Sequence, residues 1–491
     1  MEKKRVLLTG ATGYIGRRLM IRLAADPGVE LRLFVRNAAK LGPLPTAEIE
    51  AAEGSTFDFP SLAAALTSVD TAYYLIHSLG AGRGFQDLER KSAENFREAC
   101  IAAGVGRIIY LGGLGTKETG SEHLKSRIET GEILSARPDR VQTIWFRAGI
   151  IIGSGSASFE IVRDLVQKLP VMTTPRWVST RTEPIAVDDV LGYLQAALKL
   201  ETEGNVVVDI GAGAMSFRQM LLKAARLMNL RRWIIPVPFF SPHLSSYWLV
   251  LITPVPSNIA RALVDGLKSE TVVLNDNARI HFGDIHPVPF ETAFSRALTD
   301  IETNQVLSRW CDSSAKGTCD IRGEELPSHA VFRDTREFDF ADTPSDAVFR
   351  AVVAIGGDRG WLAFPWLWQL RGLADKVLGG PGLNRGRRDP ANLRVGDSLD
   401  FWKVLDLRPG QRLLLAAQMK VPGNAWLEFG ISGGRLIQTA HFLPQGLGGR
   451  LYWSAMKPFH ALIFRGLAKK IIAQARAERP PQGKKKEEDR S

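Results

Sequence analysis

The chain is poor in cysteine: 491 residues carry three, Cys100, Cys311 and Cys319. Three thiols cannot build a disulfide framework. Cys311 and Cys319 lie near each other, but no second Cys or His pair completes a zinc pattern. Free thiols, no metal site and a reducing cytoplasm are therefore expected. No separate apolar region or small-residue cleavage site precedes the first strand-like run, Val6-Leu7-Leu8, which argues against a secretory signal. Internal repeats and nucleic-acid motifs are also missing, so no nucleic-acid partner is expected. One stretch, Trp233 to Ala260, lacks Asp, Glu, Lys and Arg and is long enough to span a bilayer. It contains Pro236, Pro238, Pro242, Pro254 and Pro256, which would break the hydrogen-bond ladder of one continuous helix. The expectation is a substrate-side wall or an interface-lying segment, with no transmembrane span.

What remains is ordinary globular material, 45% hydrophobic and 23% charged, in a length that suggests two to four domains. Its charge is uneven. Residues 1–326 carry 37 Lys and Arg against 36 Asp and Glu, a net of +1; residues 327–491 carry 26 against 16, a net of +10. A basic half suits a solvated surface, nucleic acid, anionic lipid or an acidic partner. Without a nucleic-acid motif, a solvated face plus a charged tail is the plain reading. Peripheral membrane contact through this half or through residues 233–260 is the alternative.

Residues 1–310 alternate β-rich runs with helical patterns. Strands are expected at Arg5–Thr9, Leu31–Val35, Thr71–Ile76, Arg107–Leu111, Val141–Phe146 and Asn205–Ile210. Helices are expected at Tyr14–Ala25, Asp87–Ala103 and Ser121–Ala136. Strands separated by helices imply βαβ units, hence a doubly wound parallel α/β sheet with its ligand at the carboxyl ends of the strands. Residues 311–328 have linker composition. Residues 329–478 differ in texture: six of the 11 tryptophans fall between Trp361 and Trp453, and short β-like runs such as Arg412–Met419 and Ala425–Ile431 alternate with Gly/Pro turns. A helical pattern at Pro458–Ala477 closes the domain, which reads as α+β, a curved antiparallel sheet gripping that helix. Phe459, Leu462, Ile463, Leu467 and Ile471 would face the sheet, with Arg465, Lys469, Lys470 and Arg476 in water, around an apolar ligand cavity. Residues 479–491 read as a disordered charged tail.

Thr9-Gly10-Ala11-Thr12-Gly13-Tyr14-Ile15-Gly16 joins the first strand to the first helix. Gly10 permits the tight turn, Gly13 lets the backbone approach a pyrophosphate, and Gly16 lets helix and sheet pack closely. The helix N-terminus offers its unpaired N–H groups to the phosphates. With Thr12, Tyr14 and Ile15 these glycines form the expected cofactor seat. An acid about 20 positions further on would hold the ribose of NAD. Here the second strand ends Leu33-Phe34-Val35-Arg36-Asn37, and Arg17 follows the last glycine. Arg36 suits a 2′-phosphate, so NADP is the expected cofactor, with NAD second.

These residues resemble the extended and atypical short-chain dehydrogenase/reductases, whose glycine pattern is TGxxGxxG. Tyr74-Leu75-Ile76-His77-Ser78, Arg147–Gly153 and Glu183–Val190 extend the resemblance over roughly residues 4–300, closest to the NmrA-like and complex I accessory-subunit branch. It implies an NAD(P)-dependent oxidoreductase with His77 lining the cofactor cleft. The Tyr-dependent members use a YxxxK pair and an orienting Ser. Here the fifth strand ends Leu111-Gly112-Gly113, and in register His123 replaces Tyr and Arg127 replaces Lys. His123 is thus the candidate proton donor and Arg127 a fixed positive charge beside the cofactor. The second half resembles an uncharacterised bacterial domain found behind such dinucleotide domains, through Arg385–Arg388, Asp400-Phe401-Trp402, Pro422–Trp426, Gln438–Pro444 and Tyr452-Trp453. Its element order is similar to the helix-grip superfamily, in which His441 and His460 would be polar anchors. The implied substrate is a lipophilic carbonyl or quinone-like molecule. A non-catalytic NADP(H) sensor or assembly protein is the alternative.

Overall fold

Apolar runs with a two-residue period and amphipathic helices with a 3.6-residue period build the first half as a layered α/β structure. The structure, a computed structural model, describes residues 3–38, 41, 44–76, 85–174, 176–236, 265–266, 269–302, 307–308, 330–340, 343–357, 360–377, 392–395, 397–419 and 421–477. The expected linker, the charged tail, His77, Cys311, Cys319, Arg385–Arg388 and residues 237–260 lie outside these. The chain divides into two compact units, Met1–Asp320 with Lys376–Asn384, and Ile321–Asp375 with Arg385–Ser491.

In the first unit the order is β1 (Lys4–Thr9), α1 (Tyr14–Ala24), β2 (Val29–Val35), β3 (Glu50–Glu53), α2 (Phe59–Ala65), β4 (Thr71–Tyr74), α3 (Phe85–Ala103), β5 (Arg107–Gly113), α4 (Glu122–Leu134) and β6 (Gln142–Ala148). There follow β7 (Ile151–Ile152), α5 (Ala157–Lys168), β8 (Val171–Thr174), β9 (Arg181–Thr182), β10 (Ile185–Ala186), α6 (Val187–Ala196), β11 (Val206–Ile210), β12 (Met215–Ser216), α7 (Phe217–Leu227), β13 (Trp233–Pro236), α8 (Asn277–His281) and α9 (Phe290–Glu302). Seven strands form one sheet in the order β11-β6-β5-β4-β1-β2-β3. Every pairing in it is parallel. The strand order reverses between β1 and β4, the switch point where such sheets open a crevice.

Alternate residues feed opposite faces. Val6, Leu8, Tyr73, Ile109, Ile144 and Val208 pack under α1 and α6. Leu7, Phe34, Ala72, Tyr74, Ile108 and Trp145 pack under α2, α3 and α4. The short strand β3 was not foreseen: Glu-Ala-Ala-Glu lacks the β-branched signal, and only pairing with β2 makes it a strand. A further core, built on Phe159, Val162, Met220 and Phe294, lies beyond β6.

In the second unit β14 (Phe332–Asp339), α10 (Ser345–Val353), α11 (Pro365–Val377), β15 (Ser398–Leu399), β16 (Trp402–Arg408), β17 (Arg412–Ala417), β18 (Gly423–Ser432), β19 (Arg435–Pro444) and α12 (Gly446–Ala477) follow in order. The strands form an antiparallel sheet, β14-β19-β18-β17-β16-β15. Trp453 of α12 stacks on Phe442, with ring centroids 5.6 Å apart, and on Phe332 at 5.7 Å, so α12 lies over that face of the sheet.

Two expectations for this unit need correction. The closing helix begins at Gly446, not Pro458, and Pro458 sits inside it. Proline at a pattern boundary reads as a first helical residue; here the stacking of Trp453 holds the turns before it. Phe459 and Leu462 do not face the sheet but are 47% and 53% exposed, while Trp453, Phe464, Leu467, Ile471 and Ile472 are buried. The tryptophans also divide. Trp361, Trp402, Trp426 and Trp453 are core residues, whereas Trp366 is 61% exposed.

Candidate functional site

The carboxyl end of β1 and the start of α1 form the centre of the site. Gly10 has φ +72°, and a Cβ there would stand 2.5 Å from the Leu75 carbonyl oxygen at the end of β4. A Cβ on Gly16 would stand 2.1 Å from the Gly10 carbonyl oxygen. Both positions require the absence of a side chain. The turn is closed by the Gly13 N–H donating to the Gly10 carbonyl at 2.8 Å, and the Arg17 N–H donates to Gly13 at 3.0 Å. Gly13 caps α1 without a side-chain cap, and the first turn holds no acid. The positive end of the helix dipole therefore meets no local carboxylate, which suits a phosphate. Thr9, the first residue of the motif, ties the strands beneath the turn: its buried Oγ1 donates to the Tyr73 carbonyl at 2.8 Å and accepts from the Leu75 N–H at 3.2 Å.

The other expected cofactor residues divide. Tyr14 is turned inward. Burial pushes its phenol well above the ordinary range, and the Arg18 guanidinium lies 5.0 Å from its ring centroid. Arg18 in turn donates to the Ser154 carbonyl at 2.7 Å, which fixes the start of α1 against the chain after β7. Arg17 is buried, while Arg36 is exposed at the end of β2. The carboxyl end of the strand carries no acid of its own, but β3 brings one beside it. Val35 pairs with Glu53, whose Oε1 accepts the Ala38 N–H at 2.6 Å. That contact spans 15 residues and needs β3 to exist, so no local signal announced it.

Gly113 closes β5. A Cβ there would come within 3.1 Å of Leu124 Cδ1, so an α4 leucine occupies the space next to it. Ser121 caps α4 by accepting the Leu124 N–H at 3.3 Å, which sets His123 and Arg127 one turn apart on that helix. His123 is half-buried. The Arg127 guanidinium donates to the Leu111 carbonyl at the end of β5 and lies 6.0 Å from the Tyr110 ring centroid. Arg127 is thereby held at the strand end. On the buried side of the same helix, Ser126 donates to the buried carboxylate of Glu89.

Beyond β6 the structure joins two segments that the sequence had marked separately. Ile151 and Ile152 pair with Ile185 and Ala186 in parallel, and the Ile185 N–H donates to the Ile150 carbonyl at 2.9 Å. Arg147 and Asp209 end β6 and β11 side by side. Arg147 Nε and Nη2 donate to the fully buried Asp209 carboxylate at 2.6 and 2.9 Å. Asp209 Oδ2 also accepts the Leu274 N–H at 2.8 Å.

In the second unit the two candidate histidines separate. His441 Nε2 lies 2.8 Å from Glu428 Oε2, and Arg412 donates to the other oxygen at 2.7 Å. Those two partners, His441 foremost, hold the Glu428 carboxyl down to about 2. His441 pairs in register with Trp426, on the side away from the Phe442 stack. His460 sits on α12 with its ring 5.2 Å from that of Phe464 and Nδ1 3.8 Å from Asp334 Oδ2, and burial lowers its pKa. Gln438, on the face beneath α12 and in register with Arg336, is fully buried, and neither amide atom has a hydrogen-bond partner among the described residues. Cys100 is buried, which pushes its thiol up. Among the described residues no group of His, Cys, Asp and Glu is arranged to hold a metal, and no helix is long and apolar enough to cross a membrane.

Residues 10–138 match the NAD(P)H-binding family model, and residues 326–467 match a family described as protein of unknown function (DUF2867). No curated protein matches the chain. Triphenylmethane reductase from Citrobacter sp. is similar in structure, with a TM-score of 0.50 at 19% identity over 60% of this chain and 99% of that one. The same reductase complexed with NADP(H) gives 0.49 at 18% identity, covering 60% and 99%. UDP-glucose 4-epimerase from Thermotoga maritima gives 0.47 at 13% identity, covering 61% and 99%. The glycine turn at the switch point of a parallel sheet, together with the matched residues 10–138, makes the first unit a Rossmann-type NAD(P)-binding domain.

Proposed function

We propose that the protein is an NADP(H)-dependent oxidoreductase acting on a lipophilic carbonyl or quinone-like substrate. The observation that carries the reading is the uncapped N-terminus of α1 behind Gly10, Gly13 and Gly16, with exposed Arg36 at the end of β2. Arg36 would meet the 2′-phosphate and the helix N–H groups the pyrophosphate. Hydride would pass between nicotinamide and substrate, and His123 would supply the proton to the carbonyl oxygen. Arg127, fixed on Leu111, would keep a positive charge near the developing negative charge.

The second unit fits a helix-grip reading. Among the described residues one strand, two helices, five strands and a long last helix follow in that order, with α12 over the sheet. Gln438, Asp334, Arg336 and His460 would orient the polar end of an apolar ligand on that face. The direct experiment is to follow NADPH absorbance and tryptophan fluorescence of the full chain with a panel of quinones and aromatic ketones. Turnover with saturable quenching is expected. Tight NADPH binding without turnover of any of them would favour the other reading, a nucleotide sensor. That reading draws on Leu124 beside Gly113 and on the engagement of Arg127 with backbone.

Two variants sharpen the proposal. Arg36→Ala should weaken NADP binding by about 1.5–3 kcal/mol and leave NAD nearly unchanged, by calorimetry. The carboxylate of Glu53 near the same strand end opposes a phosphate, so equal wild-type affinities for NADP and NAD would sink the assignment of Arg36. His123→Ala should lower reductase turnover by about 10²–10⁴-fold with nucleotide affinity intact, and the wild-type rate should fall as pH rises and the imidazole loses its proton. Unchanged turnover would leave His123 a bystander.

A further inference from the structure

Helix α11 turns one apolar stripe to solvent while burying an acid. Its sequence, PWLWQLRGLADKV, gives an amphipathic helix whose charged side should meet water. Instead Asp375 is 2% exposed, and Arg371 is half-buried with Nη2 donating to the Tyr452 hydroxyl at 2.9 Å. Gln369 is in water, but so are Trp366, Leu370 and Leu373, at i, i+4 and i+7, with exposures of 61%, 58% and 56%, while Trp368 turns inward with its ring 4.9 Å from that of Trp361. The Arg371 guanidinium also lies 5.5 Å from the Tyr452 ring centroid, which ties α11 to α12.

Helix α12 repeats the pattern. Leu447, Leu451, Phe459 and Leu462 are 73%, 64%, 47% and 53% exposed. At 100° per residue they fall within about a third of the helix circumference, and the same strip continues as Arg465 and Lys469. The 32-residue helix holds Arg450, Lys457, Arg465, Lys469, Lys470 and Arg476 and no acidic residue. Two neighbouring helices thus offer large apolar side chains to solvent beside a run of cations. Scattered exposed leucines are ordinary on a protein surface; a tryptophan-bearing stripe on a helix that buries its aspartate is not.

We propose that this face of the second unit docks on an anionic lipid bilayer. The apolar stripes of α11 and α12 would enter the headgroup and acyl boundary, where Trp366 is favoured, and the cations of α12 would meet lipid phosphates. Charge selects this occupant over a second copy of the chain. Two such faces brought together would oppose Arg465 and Lys469 of the strip with their copies, whereas an anionic surface neutralises them. The inference does not depend on the proposed reductase activity.

The test uses the full-length protein with vesicles of phosphatidylcholine alone and of equimolar phosphatidylcholine and phosphatidylglycerol. Sedimentation and a blue shift of tryptophan emission should report binding about tenfold or more tighter to the anionic vesicles, weakening as salt is raised. Trp366→Gln with Leu370→Gln and Leu373→Gln should lower that affinity by about tenfold or more while nucleotide binding stays at the wild-type level. Arg465→Gln with Lys469→Gln should reduce the preference for anionic vesicles without altering the fold. Equal binding to both vesicles, or binding to neither, overturns the proposal. So does a dimer in sedimentation velocity that the triple variant dissolves without any vesicle binding.

Discussion

Gly16→Ala is expected to reduce NADP(H) affinity by about a hundredfold or more. The new Cβ would stand 2.1 Å from the Gly10 carbonyl oxygen, 2.7 Å from its carbon and 3.0 Å from Ala11 Cα. All three are backbone atoms, so no side-chain rotation relieves the contact. The turn must move away from α1, and the N–H groups that the turn aims at the pyrophosphate move with it. A hundredfold corresponds to about 2.7 kcal/mol, the scale of one or two charge-assisted hydrogen bonds to phosphate. Gly192 is the internal control. It lies in α6, and a Cβ there meets nothing within 4 Å, so Gly192→Ala should bind nucleotide normally and melt no lower than wild type. Calorimetry on the two variants decides the matter. Wild-type affinity in Gly16→Ala would mean that the nucleotide sits elsewhere.

The second large effect is on stability. Asp209→Ala should destabilise the first unit by about 3–5 kcal/mol, because it leaves the Arg147 guanidinium without its carboxylate and the Leu274 N–H without its acceptor. Desolvation makes such a pair costly to build as well as to break. Replacing both partners, Arg147→Leu with Asp209→Leu, should therefore recover much of the loss. Urea unfolding of the single and double variants measures this. A single variant within 1 kcal/mol of wild type would show that water replaces what Asp209 provides.

Parts of the site differed in how far they could be read ahead. The glycine turn was legible because its causes are local. Gly10, Gly13 and Gly16 lie within seven residues, and the conformational freedom they supply is a property of each residue. The parallel sheet was legible because buried strands and amphipathic helices leave separate periods in the sequence. His123 and Arg127 could be placed on α4 by spacing, but Arg127's bond to the Leu111 carbonyl could not be foreseen. A guanidinium on a helix surface has several acceptors within reach, and the packing of α4 on β5 chooses among them. Glu53 escaped notice because β3 is a strand only through its pairing with β2.

The amino-acid sequence by itself determined the order of βαβ units, the phosphate-ready start of α1, the missing acid at the end of β2 and the basic bias of the last third. Each depends on residue type and short spacing, which folding does not alter. Tertiary structure alone decided which distant groups meet, as in Arg147 with Asp209 across 62 residues. It also decided which way the amphipathic helices point. A period of 3.6 residues says that α11 has an apolar face; it does not say whether that face turns inward. The answer came from the Arg371 contact with Tyr452 and from the burial of Asp375, which place those two polar residues within beside Trp368 and leave Trp366, Leu370 and Leu373 in solvent.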